Sequence, residues 1–127
     1  AWPAARLRLI ERNAVACEAA RARCGDGVVQ ADAADPAVWT GEHDLALLVG
    51  AVQGNVMTAG AAIDVMRGVR RSLRPGGYAI VTGWSPCLLD RAGFEALGFA
   101  VLNMAVPPGD ADPNPRQLYV LQVPGPG

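Results

Sequence analysis

Short apolar runs alternate along this chain with segments of helical periodicity, and that order narrows the available folds more than any other feature. The first runs are Arg6-Leu7-Arg8-Leu9-Ile10-Glu11, Val28-Val29-Gln30-Ala31 and Leu45-Ala46-Leu47-Leu48-Val49. The third is almost continuously apolar, the pattern of a strand buried on both faces. Between the first two, Cys17, Ala20 and Cys24 fall on one helical face, with Asn13 as N-cap and Gly25 and Gly27 as the stop. Asp35-Pro36 predicts a short helical turn, with Asp capping and Pro at the first helical position.

A longer helix is expected over about 58–73. Ile63, Met66, Val69 and Leu73 keep helical spacing, and Arg67, Arg70, Arg71 and Arg74 form the opposite stripe. Pro75-Gly76-Gly77 ends it and turns the chain into a strand at 78–82. Asp90 can cap a short helix in which Leu89 staples onto Phe94 and Gly98 closes the end. Strands at 100–106 and 117–123 flank a loop rich in Pro, Gly and Asp, the pattern of a long-looped hairpin. The order β-α-β-β-α-β-α-β-β predicts one α/β domain over 1–127. Its mostly parallel sheet would lie between helices on both faces and end in an antiparallel C-terminal hairpin.

The chain has 127 residues, 51% of them hydrophobic and 18% charged, which suits a packed core and excludes general disorder. No apolar run approaches a bilayer span, so no membrane association is expected. Net charge is −1 and all eleven basic residues are Arg, so nothing draws the chain as a whole toward nucleic acid. Cys17, Cys24 and Cys87 are odd in number and lack CxxC spacing. Neither a disulfide framework nor a metal site is expected, and the reducing cytoplasm is the expected compartment.

Chemistry is expected beyond the carboxyl ends of the strands, where ligands gather in open α/β sheets. Glu11 ends the first strand and can accept both hydroxyls of a ribose; equally, it can serve as an acid at a helix N-terminus. Asp32 follows the second strand, where its carboxylate can accept from an adenine amine while the next backbone N–H addresses a ring nitrogen. It can also simply organise the turn before Asp35. Gly50-Ala51-Val52-Gln53-Gly54-Asn55 follows the third strand. Two glycines allow close backbone approach and Gln53 and Asn55 offer neutral hydrogen-bonding groups, though a plain strand-to-helix loop would look the same.

Leu73-Arg74-Pro75-Gly76-Gly77 before an apolar strand, with Glu11 and Asp32 in register, resembles the class I S-adenosylmethionine-dependent methyltransferases, a Rossmann-like family. The family orders its sheet 3-2-1-4-5-7-6, with the seventh strand antiparallel. By this resemblance 6–11 corresponds to the second strand, 28–32 to the third, 45–50 to the fourth and 78–82 to the fifth, and the final hairpin to the sixth and seventh. The likeness implies that Glu11 holds the cofactor ribose, that Asp32 and Ala33 face the adenine, and that Gly50, Ala51 and Val52 run beneath it. Gln53, Asn55 and Trp84 would border the substrate side. It names no catalytic residue and no metal.

The family's first strand and its glycine-rich loop have no counterpart here. The only Gly-x-Gly, Gly25-Asp26-Gly27, precedes a strand instead of following one. The chain is therefore expected to be N-terminally incomplete, starting at the second strand. The absent strand belongs mid-sheet, and each buried backbone group left without a partner costs about 1–3 kcal/mol. A complementary N-terminal segment or partner chain, a second copy exchanging elements, or direct pairing of the flanking strands would remedy this; the first is preferred, because direct pairing erases the cofactor crevice. The expected activity is S-adenosylmethionine-dependent methyl transfer to a small molecule. The alternative is a non-catalytic methyltransferase-like subunit that stabilises or regulates an enzyme. A nicotinamide dinucleotide domain also uses an acid on the ribose, but suits the Pro-Gly-Gly turn and terminal hairpin less.

Other features read more plainly. His43 lies before a strand, away from the ligand edge, and Cys87 has no second histidine to activate it. The arginine stripe reads as a solvated helix face.

Overall fold

A computed structural model of the chain describes residues 7–41, 43–49, 51–52, 57–84, 89–105 and 116–125. In chain order the elements are β1 (Leu9–Glu11), α1 (Ala14–Cys24), β2 (Val28–Gln30), β3 (His43–Val49), α2 (Ala59–Ser72), β4 (Leu73–Trp84), α3 (Arg91–Ala96), β5 (Ala100–Ala105) and β6 (Arg116–Gln122). Short 3-10 turns occupy Gly25–Gly27 and Pro36–Val38. The fold is α/β, with parallel and antiparallel strand pairs, as the alternation predicted.

Each helix starts where a side chain can satisfy its first N–H groups. Asn13 accepts from Val15 and Ala16, Thr58 from Ala61, and Asp90 from Gly93. α1 stops at Gly25, which has φ +72°. α2 stops earlier than Pro75, because Leu73 is already extended and begins β4. The Pro-Gly-Gly segment is instead an irregularity inside the strand. Gly76 has φ +81°; its N–H donates to Val123 O and the Val123 N–H donates to Gly77 O, both at 2.9 Å. Gly77 has no room for a side chain, since a Cβ would press on the carbonyls of Arg74, Asp44 and His43.

The strands form two sheets. β1 pairs in parallel with β2, Glu11 opposite Gln30. The other four run in the order β3-β4-β6-β5; β3 and β4 are parallel, and β6 is antiparallel to β4 and β5. β1 is not hydrogen-bonded to β3, so the flanking strands do not close up to pair directly. Among the described residues neither edge of either sheet carries a further strand.

The core lies on one face of the larger sheet. Leu48, Ala79, Val81, Tyr119 and Leu121 meet Ala62, Val65, Met66 and Val69 of α2 and Phe94 of α3. Phe94 and Tyr119 stack at a tilt, ring centroids 4.9 Å apart. Fully burying such side chains contributes about 1.5–3 kcal/mol each. The expectation that 45–49 is buried on both faces is not met. Leu48 is 6% exposed, whereas Leu47 is 64% and Val49 77% exposed. Alternation along the strand puts Leu45, Leu47 and Val49 on the face away from α2 and α3, which no described element covers.

Candidate functional site

The two acids singled out in the sequence meet at one edge. β1 and β2 are parallel and in register, so Glu11 at the end of β1 and Asp32 just beyond β2 share the carboxyl edge. The pairing continues past the strands through Ala31 N–H to Glu11 O, at 2.9 Å.

Each carboxylate is fixed by one oxygen. Glu11 Oε1 accepts from the backbone N–H of Arg12 at 3.0 Å and of Asn13 at 3.1 Å. Asp32 Oδ1 accepts from Ala34 N–H at 2.9 Å, closing a local turn. Such bonds realise the turn-organising alternative weighed for Asp32, while those of Glu11 reach N–H groups ahead of α1, whose first turn holds no acid. These bonds do not use up either group, because an ionised carboxylate offers roughly four acceptor positions. Glu11 Oε2 and Asp32 Oδ2 make no hydrogen bond among the described residues.

Cys17, fully buried, donates its thiol to Glu11 O at 3.3 Å and anchors α1 beneath this edge. Beyond Asp32 the turn is held from below by Trp39. Its indole Nε1 donates to Ala33 O at 2.6 Å, while its ring lies against Gly68 of α2. Arg8 Nη2 donates to Val38 O at 2.7 Å, bringing the amino end of β1 to the segment that feeds β3.

The second half of the edge follows β3 and β4. Val52 is buried in the main core and Ala51 packs against it. β4 ends at Trp84, opposite Arg116. Gly50, Gln53 and Asn55 lie outside the described residues, as does Cys87. Gly25-Asp26-Gly27 immediately precedes β2, at the end of the strand opposite Glu11 and Asp32. Gly27 is required there for packing, because a Cβ would fall on the carbonyl of Leu7. Among the described residues no group of His, Cys, Asp and Glu could hold a metal ion. None of their helices is long and apolar enough to cross a membrane.

His43 opens β3 at its amino end, and its neighbour Asp44 pairs with Arg74. The rest of the arginine stripe is exposed, and Arg70 Nε donates to Gly98 O at 3.4 Å. Two contributors went unread in the sequence, Trp39 and Arg8. A signal for the first was present: a glycine in mid-helix costs about 1 kcal/mol relative to Ala and so implies a packing reason, here the indole against Gly68.

No protein-family model matches the chain, and no curated protein matches it significantly in sequence. Solved structures do match. The 4+2 cyclase SpnF is 16% identical with a TM-score of 0.70, covering 94% of this chain and 67% of its own. The N-methyltransferase NodS from Bradyrhizobium japonicum, solved with S-adenosyl-L-homocysteine, is 14% identical with a TM-score of 0.68 and the same coverage. A candidate type 11 methyltransferase from Sulfolobus solfataricus is 20% identical with a TM-score of 0.62, covering 97% of this chain and 73% of its own. The fold is that of the class I S-adenosylmethionine-dependent methyltransferases. β1 and β3, which the resemblance assigns to the strands flanking the central one, are not hydrogen-bonded to each other. The chain spans about two thirds of SpnF and of NodS, so the methyltransferase-like fold is shown and the activity is not.

Proposed function

We propose that the chain is the adenosine-binding and substrate-side portion of an S-adenosylmethionine-dependent methyltransferase acting on a small molecule. A complementary segment or partner chain would supply the central strand and glycine loop. The observation that carries this is the pair of half-engaged carboxylates, Glu11 and Asp32, at the carboxyl ends of adjacent parallel strands.

The residues fit the adenosine part of the cofactor. Glu11 Oε2, which makes no hydrogen bond among the described residues, can accept from ribose hydroxyls, and Oε1 is already oriented by the N–H groups of Arg12 and Asn13. Asp32 Oδ2 can accept from the adenine amine. The Ala33 N–H, which has no partner among the described residues, can address a ring nitrogen. Ala51 and Val52, with Gly50, would run beneath the base, and Gln53, Asn55 and Trp84 would border the substrate. When bound, the cofactor supplies an electrophilic methyl group for a substrate oxygen, nitrogen or carbon. The protein's own contribution is alignment and exclusion of water, which can carry much of such a reaction without an obligatory general base. Free Cys17 and Cys24 accord with a cytoplasmic setting.

A second reading is a methyltransferase-like scaffold that regulates another enzyme. It is favoured by the local bonds of Glu11 and Asp32, which give both acids a purely structural use. Calorimetric titration with S-adenosylhomocysteine separates the two. Micromolar binding, by the chain alone or with an added strand–loop–helix segment, supports methyl transfer and eliminates the pure scaffold. No binding in either state overturns the methyltransferase reading.

A further inference from the structure

The turn that carries Asp32 is built through Trp39. The indole Nε1 donates to Ala33 O at 2.6 Å. The peptide unit that begins with this carbonyl ends in the Ala34 N–H, which donates to Asp32 Oδ1 at 2.9 Å. One planar peptide therefore has the indole at one end and the carboxylate at the other. A carbonyl that accepts a bond also makes the N–H of its own peptide a stronger donor, so the two bonds reinforce each other.

The indole is itself held by the core. Trp39 is half-buried against the main cluster, and its ring lies so close to Gly68 of α2 that a Cβ there would collide with it. Ala33 and Ala34 are half-buried against the same cluster, whereas Asp32 is exposed. The carboxylate thus stands at the solvent end of a hydrogen-bond chain whose other end rests on α2. What the chain fixes is a pair of neighbouring groups. Asp32 Oδ2 is an acceptor and the Ala33 N–H a donor, and neither has a partner among the described residues. Side by side they match the amine and adjacent ring nitrogen of adenine. Hypoxanthine presents the reverse, an oxo acceptor beside a ring N–H, so both bonds fail. A site rejects such an analogue strongly only when its own polar groups cannot turn to find other partners.

We propose that Trp39 is the positioning residue for recognition of the base. Its N–H, acting through the Ala33–Ala34 peptide, holds Asp32 Oδ2 and the Ala33 N–H in the arrangement that accepts adenine and rejects hypoxanthine. This rests on the adenosine-binding reading above and adds to it the residue that sets base specificity.

The test replaces Trp39 in the full chain by benzothienylalanine, a ring of the same shape with sulfur in place of the N–H. Trp39→Phe, which also keeps an aromatic ring and lacks the donor, is the second variant. Calorimetric titration with S-adenosylhomocysteine and S-inosylhomocysteine, on the chain alone and with the strand–loop–helix segment, gives the ratio of the two affinities. The wild type should prefer the adenine form by at least about a hundredfold. Both variants should lose about tenfold of that preference through weaker binding of the adenine form. In the unliganded chain, exchange of the Ala34 N–H should accelerate by about tenfold. An unchanged ratio, or equal weakening of both ligands, overturns the proposal, because a residue that only packs does not distinguish the bases. Unchanged exchange at Ala34 overturns it as well. A wild type that binds neither ligand in either state defeats the adenosine-binding reading and this proposal with it. A wild type that binds, beside variants of unaltered ratio, defeats this proposal alone.

Discussion

Gly68→Ala probes how the adenosine-side turn is held. A Cβ at position 68 would sit inside contact distance of Trp39 Cδ1 and Cγ and 2.5 Å from Nε1. The ring would have to retreat by about 1 Å or more, and overpacking of this kind costs about 1–3 kcal/mol. Retreat also stretches the 2.6 Å bond from Trp39 Nε1 to Ala33 O. Losing such a bond costs about 0.5–1.5 kcal/mol. Against this stands the helix preference for Ala over Gly, about 1 kcal/mol in favour of the variant. The net is a destabilisation of about 1–3 kcal/mol. Trp39→Ala removes the obstacle and, because Trp39 is only half-buried, spares the packing of α2 on β4. In that background Gly68→Ala should stabilise by about 1 kcal/mol, which makes the coupling at least about 2 kcal/mol. Urea unfolding followed by far-ultraviolet circular dichroism measures all four proteins. If Gly68→Ala shifts stability equally in both backgrounds, the indole does not press on Gly68 and the proposed support of the Asp32–Ala33 turn is wrong.

Three further outcomes follow from named contacts. Glu11→Gln keeps an oxygen to accept from Arg12 and Asn13, so urea stability should change by less than about 1 kcal/mol. S-adenosylhomocysteine affinity in the completed protein should nevertheless fall about tenfold, the loss of a charge-assisted bond, as titration calorimetry would show. Asp90→Ala removes the acceptor for Gly93 N–H and should cost about 1 kcal/mol in urea unfolding. Gly27→Ala drives a Cβ onto the Leu7 carbonyl, backbone that cannot rotate aside. Its expected cost is about 2 kcal/mol or more, concentrated in β1 and β2. Hydrogen exchange should accelerate at 9–11 and 28–30 while β4 and β6 keep their protection.

Local chemistry was legible from the sequence. Asn13, Asp35, Asp90 and Gly98 each act within a few residues, and all four cap or close turns as expected. Thr58 caps α2 as well, with its boundary one residue inside the expected span. The carboxyl-edge position of Glu11 and Asp32 was legible too, since it needs only two parallel strands and their ends. What local pattern could not supply was anything decided across the sheet. The Pro-Gly-Gly segment reads as a terminator, but its hydrogen bonds go to Val123, far along the chain, and these draw it into β4. Trp39 reads as an isolated aromatic until Gly68, 29 positions later in the numbering, is brought beneath it.

The failed expectation for β3 is the most informative, because the sequence and the described fold disagree there for a physical reason. A run of Leu, Ala, Leu, Leu and Val is written for burial on both faces, yet the described helices cover only the Leu48 side. A one-sided sheet of this kind normally alternates apolar with polar residues, and β3 does not: Leu45, Leu47 and Val49 are all apolar. Selection for solubility alone would favour polar residues at the two most exposed positions. Their retention is explained if the strand spends its working life covered. Replacing Leu47 by Asp should therefore change the urea stability of the chain alone by less than about 0.5 kcal/mol, and cost more wherever that face is covered.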